Sequence, residues 1–389
     1  MYSGEVVFAQ LMEFLPRRPF NTCVRRYRGD YRSRGFSCRD QFLCMAFAQL
    51  TLRESLRDIE TCLRALGPKL YHAGFRGRIS RSTLADANER RDWRIYHDFA
   101  QVLIHRARQL YAADPLAVTL AQTAYALDST IIELCLSLFP WAHAQRRKAG
   151  LKLHTLLDLR GNIPCFVRIS STKTTDAALL DQIVPEPGSY YVLDRGYNDC
   201  GRLHPWAQAG AFFIVRCRRN IGFVRYHTRP VDKTTGLRSD QTVRFQDRRT
   251  RRKYPERLRR ITFYHAKNRQ RLILVTNSFL LPAQTVADLY RCRWQIELFF
   301  KWIKQHLRIQ RFFGHSPNAV KTQVWIAIST YVLVAIVKRE LNLSKSLYEI
   351  LQILSIALFE KTPNFAAFLS QDHAMTDTCF PKQLTLFDF

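Results

Sequence analysis

The run YRCRWQIELFFKWIKQHLRIQRFFG at residues 290–314 combines apolar residues at helical spacing with one charged face. Its polar residues Tyr290, Arg293, Glu297 and Lys304 follow the spacing Y-x2-R-x3-E-x6-K. A single helix would direct these four side chains into an arc of roughly 60° and bury its other faces. One carboxylate beside two cations suits a metal-dependent site that acts on a phosphate backbone. The alternative is an amphipathic helix with an ordinary charged face.

The composition of the 389-residue chain is strongly basic. Sixty Lys and Arg residues oppose 32 Asp and Glu residues, and the formal net charge is +28. Such an excess predicts a polyanionic partner, with nucleic acid as the default, and Arg suits bidentate contacts to phosphate. The bases are spread along the chain and are not gathered on one amphipathic helix, so a membrane surface is the weaker alternative and we expect no membrane partner.

The cysteines and the apolar stretches indicate a cytoplasmic protein. None of the ten cysteines forms a C-x-x-C pair, which argues against a zinc ribbon, and several lie in apolar runs as expected of buried thiols. A reducing compartment fits this usage. The N-terminus has acids where a signal peptide needs bases. The longest apolar stretch, at 324–337, is too short to span a bilayer and predicts a buried helix.

Changes in periodicity divide the chain into five predicted segments. They are a helical, DNA-binding N-terminal domain at 1–115, the two parts of a mixed α/β core at 116–218 and 263–340, a basic β-rich insertion at 219–262, and a helical C-terminal region with a tail at 341–389. Within the first segment, a short helix, a Gly-containing turn and a helix ending in Arg90 and Arg91 suggest a helix-turn-helix, although helical hairpins are common.

The insertion holds the densest positive charge. Residues 216–260 contain 16 bases and 4 acids, and the run RRTRRKYPERLRR at 248–260 includes Arg251 and Arg252. We interpret this run as an inserted β element or an extended hairpin that lies against DNA. A solvated loop is the alternative. Interleaved aromatic residues favour an ordered structure.

Two aspartates are predicted to close apolar strands. Asp128 ends the run AYALD and Asp194 ends the run YYVLD, and carboxylates at strand ends project from the edge of an α/β sheet. With Glu297 they could converge on two divalent cations, for which hard oxygen ligands favour Mg²⁺ or Mn²⁺. A strand-end capping role is the alternative for each, and competing acids are Glu133, Asp158, Asp176, Asp181 and Asp199, of which Asp176 and Asp181 fit a helix surface.

These motifs together resemble a DDE transposase of bacterial insertion sequences, in the family with a Tyr-Arg-Glu-Lys signature. The signature matches in residue type and in every spacing, while AYALDSTII and YYVLDRGY match the first and second Asp motifs. The segment GLKLHTLLDLRGNIPCFVRIS at 150–170 resembles the strand hairpin between them. The resemblance covers nearly the whole chain and is strongest from 124 to 314.

The resemblance implies an RNase H-like core interrupted by the β-rich insertion, and a role for each motif residue. Asp128, Asp194 and Glu297 would form the catalytic, metal-binding triad, loaded with two Mg²⁺ ions that Mn²⁺ can replace. Contacts to the phosphates of the transposon end would come from Tyr290, Arg293 and Lys304. Further DNA-binding candidates are Arg195, Lys301, Arg90, Arg91, Arg251 and Arg252.

The resemblance also implies a reaction. Water attacks the phosphodiester at the element's end, the freed 3′-hydroxyl attacks the opposite strand to give a hairpin, and the resolved end is joined to target DNA. The partners would be double-stranded DNA with terminal inverted repeats, target DNA and a second copy of the chain, in the nucleoid of a bacterial cytoplasm. Some relatives hold a flipped base on a Trp of the insertion, but this chain has no Trp between Trp206 and Trp294. The aromatic candidates are Phe223, Tyr226, Phe245 and Tyr254.

Two other functions fit parts of the pattern. An RNase H-like nuclease without strand transfer would need the same three acids, and the additional basic regions favour a protein that holds specific DNA ends. A catalytically silent copy that acts as a DNA-binding repressor would leave the complete set of acids unexplained. A basic RNA-binding protein is a more remote reading for the same reason.

Overall fold

A nine-strand mixed sheet forms the centre of the computed structural model, which describes residues 5–33, 35–67, 69–116, 118–135, 137–142, 149–218, 220–265, 270–307 and 312–370. The strands are β1 (Glu5–Val6), β2 (Ala124–Leu134), β3 (Ala149–Asp158), β4 (Ile163–Ser171), β5 (Tyr190–Leu193), β6 (Phe212–Arg216), β7 (Phe223–Arg229), β8 (Leu237–Phe245), β9 (Leu258–His265), β10 (Gln270–Thr276) and β11 (Lys361–Thr362). The sheet order is β4-β3-β2-β5-β6-β10-β9-β8-β7, while β1 and β11 pair separately. Among these described strands, the pairs β2–β5 and β5–β6 are parallel, and the other neighbouring pairs are antiparallel. The structure confirms the predicted mixed α/β fold.

Helices cover the sheet and form a layer of their own. They are α1 (Val7–Glu13), α2 (Arg17–Arg26), α3 (Cys38–Leu50), α4 (Leu56–Ala65), α5 (Lys69–His72), α6 (Arg81–Arg90), α7 (Arg94–Tyr111), α8 (Cys200–Gln208), α9 (Arg248–Lys253), α10 (Ala283–Cys292), α11 (Trp294–Leu307), α12 (Pro317–Glu340), α13 (Leu347–Ala357) and α14 (Phe365–Ser370). Local sequence explains several helix starts. Ser37 and Asp40 form a capping box at α3, and Ser316 caps α12, which has proline in its first turn.

The N-terminal helices do not form a core of their own. Residues of α1–α7 share one continuous hydrophobic cluster with α11, α12, α13 and strands β2–β4. Tyr111 donates a hydrogen bond to the carbonyl of Ala335, and Arg106 donates to Glu340 at the end of α12. Most of the described residues between 5 and 115 are helical, and their hydrophobic contacts continue into the rest of the chain. The predicted helix-turn-helix consists of the four-residue α5, a turn at Gly74 and α6.

Helix α12 is buried on all sides, as the apolar run at 324–337 predicts. It is the one helix among the described residues that is long and apolar enough to cross a membrane, yet 94% of its most apolar window is buried inside the protein. It packs against α3, α6, α7, α11, α13 and β4. We therefore interpret it as the central core helix of the helical layer.

The basic insertion continues the central sheet. Strands β7, β8 and β9 form an antiparallel meander, and β9 pairs with β10 over seven residues, so the insertion is hydrogen-bonded to the core strands. The run at 248–260 was expected to be a β element or a hairpin, but residues 248–253 form helix α9. The local reason is that Asp247 caps this helix by accepting a hydrogen bond from the amide of Thr250.

Candidate active site

The parallel pairing of β2 and β5 brings the two predicted aspartates to one edge. Leu127 of β2 is the last residue opposite β5 and pairs with Leu193, so Asp128 and Asp194 follow at equivalent positions. Asp194 comes directly after β5, as predicted. Asp128 does not end its strand: β2 continues to Leu134, because its other side stays paired with β3. Asp128 therefore lies where the parallel partner β5 ends, although β2 itself continues.

Glu297 reaches the same edge from the first turn of α11, which packs on β2. The signature was expected on one helix, but two helices carry it. Tyr290 lies in α10, which ends at Cys292, and Arg293 joins α10 to α11 with helical dihedral angles. The expected buried face is present, since Ile296, the aromatic residues Phe299, Phe300 and Trp302, and Ile303 are all at most 6% exposed.

Arg293 and Tyr290 hold the three acids. The Arg293 guanidinium donates from Nη1 to Asp128 Oδ2 at 2.7 Å and from Nη2 to Glu297 Oε1 at 2.5 Å. The Tyr290 hydroxyl donates to Asp194 Oδ1 at 3.2 Å. Both side chains were predicted to contact DNA phosphates, whereas the structure buries Tyr290 and leaves only 14% of the Arg293 side chain exposed. In this structure their contacts are to the acids.

The environment of Asp128 opposes its negative charge. Burial, helped by the nearby charges of Asp194 and Glu297, raises the pKa of Asp128 to about 6 despite the opposing positive charge of Arg293. Burial also raises the pKa of Tyr290 to about 12, so that its hydroxyl stays protonated and can donate to Asp194. A cation beside Asp128 would relieve the cost of burying this carboxylate.

An open cleft runs along the acids toward α11. It has a volume of about 500 Å³ and is lined by Asp128, Ser129, Thr130, Glu297, Phe300, Lys301 and Lys304. Lys301 and Lys304 are exposed, one and two turns beyond Glu297, so their ammonium groups flank the acids from the solvent side. Arg195, directly after Asp194, is exposed as well. The cleft therefore combines partly buried carboxylates with exposed cations.

The other predicted DNA contacts differ in their exposure. Arg90 ends α6 and is exposed, whereas Arg91 is directed inward. It donates to the carbonyls of Ser37 and Phe36 and to the Gln41 side chain, and its own side chain is 10% exposed. These contacts tie α6 to α3, so we leave Arg91 out of the proposed DNA surface.

The insertion presents its charge on α9 and β7. Arg252 is exposed and Arg251 is partly exposed on α9. Of the four aromatic candidates for base stacking, Phe245 and Tyr254 are at most 3% exposed and Phe223 is partly buried. Tyr226 is 50% exposed on β7, and the Arg257 guanidinium lies 4.8 Å from its ring centre. Among the four, Tyr226 is the ring with most surface to offer.

Sequence analysis missed a buried group of polar side chains behind Asp128. Lys152 of β3 pairs with Asp176 at 2.7 Å, and Asp176 also accepts a hydrogen bond from Ser129. Asp176 was interpreted as a helix-surface residue, but it is turned toward the sheet from a short 3-10 helix (Asp176–Gln182). A signal was available: a lysine inside the apolar strand LKLHTLL requires a buried acidic partner.

Comparison with known proteins identifies the family. The family model described as the transposase DDE domain matches residues 120–333, which is more than half of the chain, and a domain of unknown function matches residues 3–76. The putative transposase y4zB of Sinorhizobium fredii is 32% identical over 282 residues, covering 72% of this chain and 77% of its own length. The chain belongs to the DDE transposases of insertion sequences, enzymes with polynucleotidyl transferase and endonuclease activity that act on DNA and depend on divalent metal ions.

More distant relatives carry related names. The probable transposase for insertion sequence element IS5377 of Geobacillus stearothermophilus is 28% identical, covering 53% of this chain and 54% of its own. Transposase InsG for insertion sequence element IS4 of Escherichia coli is 24% identical, with 47% and 43% coverage. A cryo-EM structure of the piggyBac transposase synaptic complex with hairpin DNA aligns with a TM-score of 0.44 and 10% identity, over 95% of this chain and 81% of that one.

The acids suit a divalent metal by their chemistry. In the part of the chain that the structure describes, no three His, Cys, Asp or Glu side chains are close enough to form a ready ligand set. The Arg293 guanidinium lies between Asp128 and Glu297 and bonds to both. Carboxylate oxygens are the hard donors that Mg²⁺ and Mn²⁺ prefer, and Asp128 and Glu297 would have to exchange Arg293 for the metal ion.

Proposed function

We propose that this transposase binds the terminal inverted repeats of its own insertion sequence, cleaves at the element ends through a hairpin intermediate and joins the ends to target DNA. The observation that carries the proposal is that Asp128 and Glu297 share Arg293 and line a cleft flanked by exposed lysines, while Asp194 follows the neighbouring parallel strand at the position equivalent to Asp128. In this proposal strands β2–β6 form an RNase H-like core, supported by their order, a three-strand antiparallel meander followed by two parallel strands.

The roles follow from chemistry. Asp128, Asp194 and Glu297 would hold two Mg²⁺ ions, and these ions would stabilise the attacking and leaving oxygens at phosphorus. Lys301, Lys304 and Arg195 would neutralise and position the phosphate backbone along the cleft. Arg293 and Tyr290 orient the carboxylates, and Tyr226 offers a stacking surface for an unpaired base.

The assembly proposed is a homodimer on DNA, because two element ends have to be brought together before they are joined. The excess positive charge of the chain would oppose association of two free copies and favours association on a polyanion. The substrate would be chromosomal DNA in a bacterial cytoplasm.

A cleavage assay tests the proposal. Wild type and Glu297→Ala are incubated with a labelled duplex that carries the element's terminal repeat and flanking DNA, in Mg²⁺ and in Ca²⁺. We expect cleavage at the repeat boundary and a hairpin product only with wild type in Mg²⁺, and binding without cleavage in Ca²⁺.

Two other results would redirect the assignment. Cleavage without joining of pre-cut ends to a target plasmid would favour the nuclease without strand transfer. Equal binding by both proteins with no cleavage in any condition would favour the silent DNA-binding copy.

A further inference from the structure

The buried pair of Lys152 and Asp176 lies directly behind the candidate triad. The Lys152 side chain is 11% exposed, and its Nζ lies 2.7 Å from Asp176 Oδ1 and donates to the carbonyl of Thr174 at 3.2 Å. A buried ammonium is stable only when it is paired and hydrogen-bonded. Lys152 therefore fixes the position of the Asp176 carboxylate.

The completely buried His154 is not the charged partner of Asp176. Its Nδ1 lies 3.9 Å from the same Asp176 oxygen, but burial and the charge of Lys152 lower its pKa to about 4. The imidazole is neutral at neutral pH, and Lys152 is then the charged partner of Asp176.

On one side, Asp176 contacts the segment that carries the first catalytic aspartate. The Ser129 hydroxyl donates to Asp176 Oδ1 at 2.5 Å, while the backbone amide of Ser129 donates to Asp128 Oδ1 at 2.8 Å. The same residue is thus anchored through its side chain and holds Asp128 through its main chain. A shift of Asp176 would move the amide that orients Asp128.

On the other side, Asp176 lies close to the turn that follows Asp194, the second aspartate of the candidate triad. Gly196 follows Asp194 by two residues, and a Cβ atom built on Gly196 would lie 2.9 Å from Asp176 Oδ2 and 3.4 Å from its Cβ and Cγ. Any larger residue would have to displace either Asp176 or the turn after Asp194. The glycine of the D-R-G-Y motif is therefore explained by close approach to Asp176.

We propose that Asp176, fixed by Lys152, is a positioning residue that sets the separation of the Asp128 and Asp194 carboxylates through its contacts with Ser129 and Gly196. The inference rests on the proposed role of these two aspartates as metal ligands. Asp176 itself does not touch the substrate in this proposal. Loss of either contact should weaken metal binding before it weakens DNA binding, because Lys301 and Lys304 lie on another element, α11.

The test compares three altered proteins with wild type and a control. Gly196→Ala presses on Asp176 from the second segment. The double variant Asp176→Asn with Lys152→Met removes the buried charges together, which avoids leaving an unpaired ammonium. Asp176→Asn alone keeps an acceptor for Ser129 but leaves Lys152 unpaired. The control is Asp181→Asn, in the same 3-10 helix, whose carboxylate pairs with Arg202 at the surface.

Two readouts separate positioning from folding. Mn²⁺ binding to the full-length protein on end DNA is followed by the loss of the free-ion electron paramagnetic resonance signal, and cleavage is measured across the same Mn²⁺ range. We expect Gly196→Ala and the double variant to bind end DNA as wild type does but to require about 10–100-fold more Mn²⁺ in both assays. Asp181→Asn should behave as wild type.

The outcomes are distinguishable. If Gly196→Ala and the folded double variant show the Mn²⁺ affinity and cleavage of wild type, the positioning role is wrong while the proposed function stands. If wild type itself neither binds Mn²⁺ nor cleaves, the proposed function fails and the inference with it. If Asp176→Asn or the double variant does not fold, Gly196→Ala decides alone, since it leaves the Lys152 pair chemically intact.

Discussion

Charged side chains differ between the middle of the sheet, at β5, and its edge, at β7. In the middle, all four residues of β5 are buried, and the acids beyond it are held by Tyr290 and Arg293. At the edge, β7 exposes five of its seven residues, among them Arg225 and Tyr226. The middle carries few charges with defined partners, whereas the edge carries a surplus of positive charge.

This difference suggests that the middle of the sheet serves catalysis and that the edge serves DNA binding. A desolvated charge interacts strongly and depends on its geometry, so the loss of one partner has a large effect. Exposed charges are screened, and each phosphate contact adds a modest, salt-dependent share of the binding free energy. We therefore expect changes in the middle to act on cleavage and metal binding, and changes at the edge to act on the salt dependence of DNA binding.

The largest effect is expected from the acids. Asp128→Ala, Asp194→Ala or Glu297→Ala should each lower the rate of end cleavage by about 10³-fold or more, since metal-assisted stabilisation of the transition state contributes several kcal/mol. End binding in Ca²⁺, measured by gel shift, should stay near that of wild type. Robust cleavage by any of the three would remove that residue from the triad.

A second prediction concerns stability in the middle of the sheet. The pKa of Asp128 is higher in the folded protein than in the unfolded chain, so the folded state binds this proton more tightly, and the associated stability is lost as pH rises through about 6. Asp128→Asn should therefore raise the free energy of unfolding by about 3 kcal/mol above pH 7, and the gain should vanish below pH 4.

Chemical denaturation of the DNA-free protein in EDTA, at several pH values, measures this difference. Asp181→Asn serves as the control because its carboxylate is 55% exposed. A pH-independent gain, or a loss of stability at pH 7, would contradict the assignment of a destabilising buried charge.

In the insertion, removal of charge from α9, which contacts β8 and α8, should have a graded effect. Arg251→Ala combined with Arg252→Ala should weaken end binding and reduce the magnitude of the slope of log K against log salt by about 2, if each contacts one phosphate. Fluorescence anisotropy at several salt concentrations measures the slope. Cleavage at saturating protein should be retained, and Lys361→Ala, an exposed lysine on β11, is the control. Slower cleavage by the double variant at saturating protein would contradict a role for these arginines in DNA binding alone.

The smallest effect is expected at the border between the regions. Lys304→Ala should weaken end binding and reduce the same slope by about 1, as expected for one lost phosphate contact. Lys304 lines the cleft with Glu297, so a decrease in cleavage at saturation is compatible with its position. An unchanged slope would show that Lys304 does not contact the backbone of the bound end.

Much of the fold followed from local sequence. Gly and Asn in the run Arg160-Gly161-Asn162 are typical turn residues, and the structure places Gly161 and Asn162 at positive φ between β3 and β4. Ser55 stands before an apolar run, as is typical of a helix start, and it caps α4. Asp194 directly follows β5, as its motif predicts. Such features are predictable because their causes lie within a few residues.

The remainder depended on contacts between distant residues. Arg91 looked like a surface base, but its partners lie more than 50 positions away in sequence. The pairing of Asp176 with Lys152 and the sharing of a core by α7 and α12 are likewise long-range. Periodicity reports which face of an element is apolar, and it does not report which other element covers that face.

The hydrogen bonds between β9 and β10 fix the distance between the edge strand β7 and the acids beside β5. Because β7 to β5 belong to one hydrogen-bonded sheet, five strand spacings of about 4.8 Å separate the exposed edge from the acids, or roughly 24 Å along the sheet. At about 3.4 Å per base pair, this length corresponds to roughly seven base pairs. If the proposed function holds and a duplex contacts both β7 and the acids, about seven base pairs would lie between its two contact points.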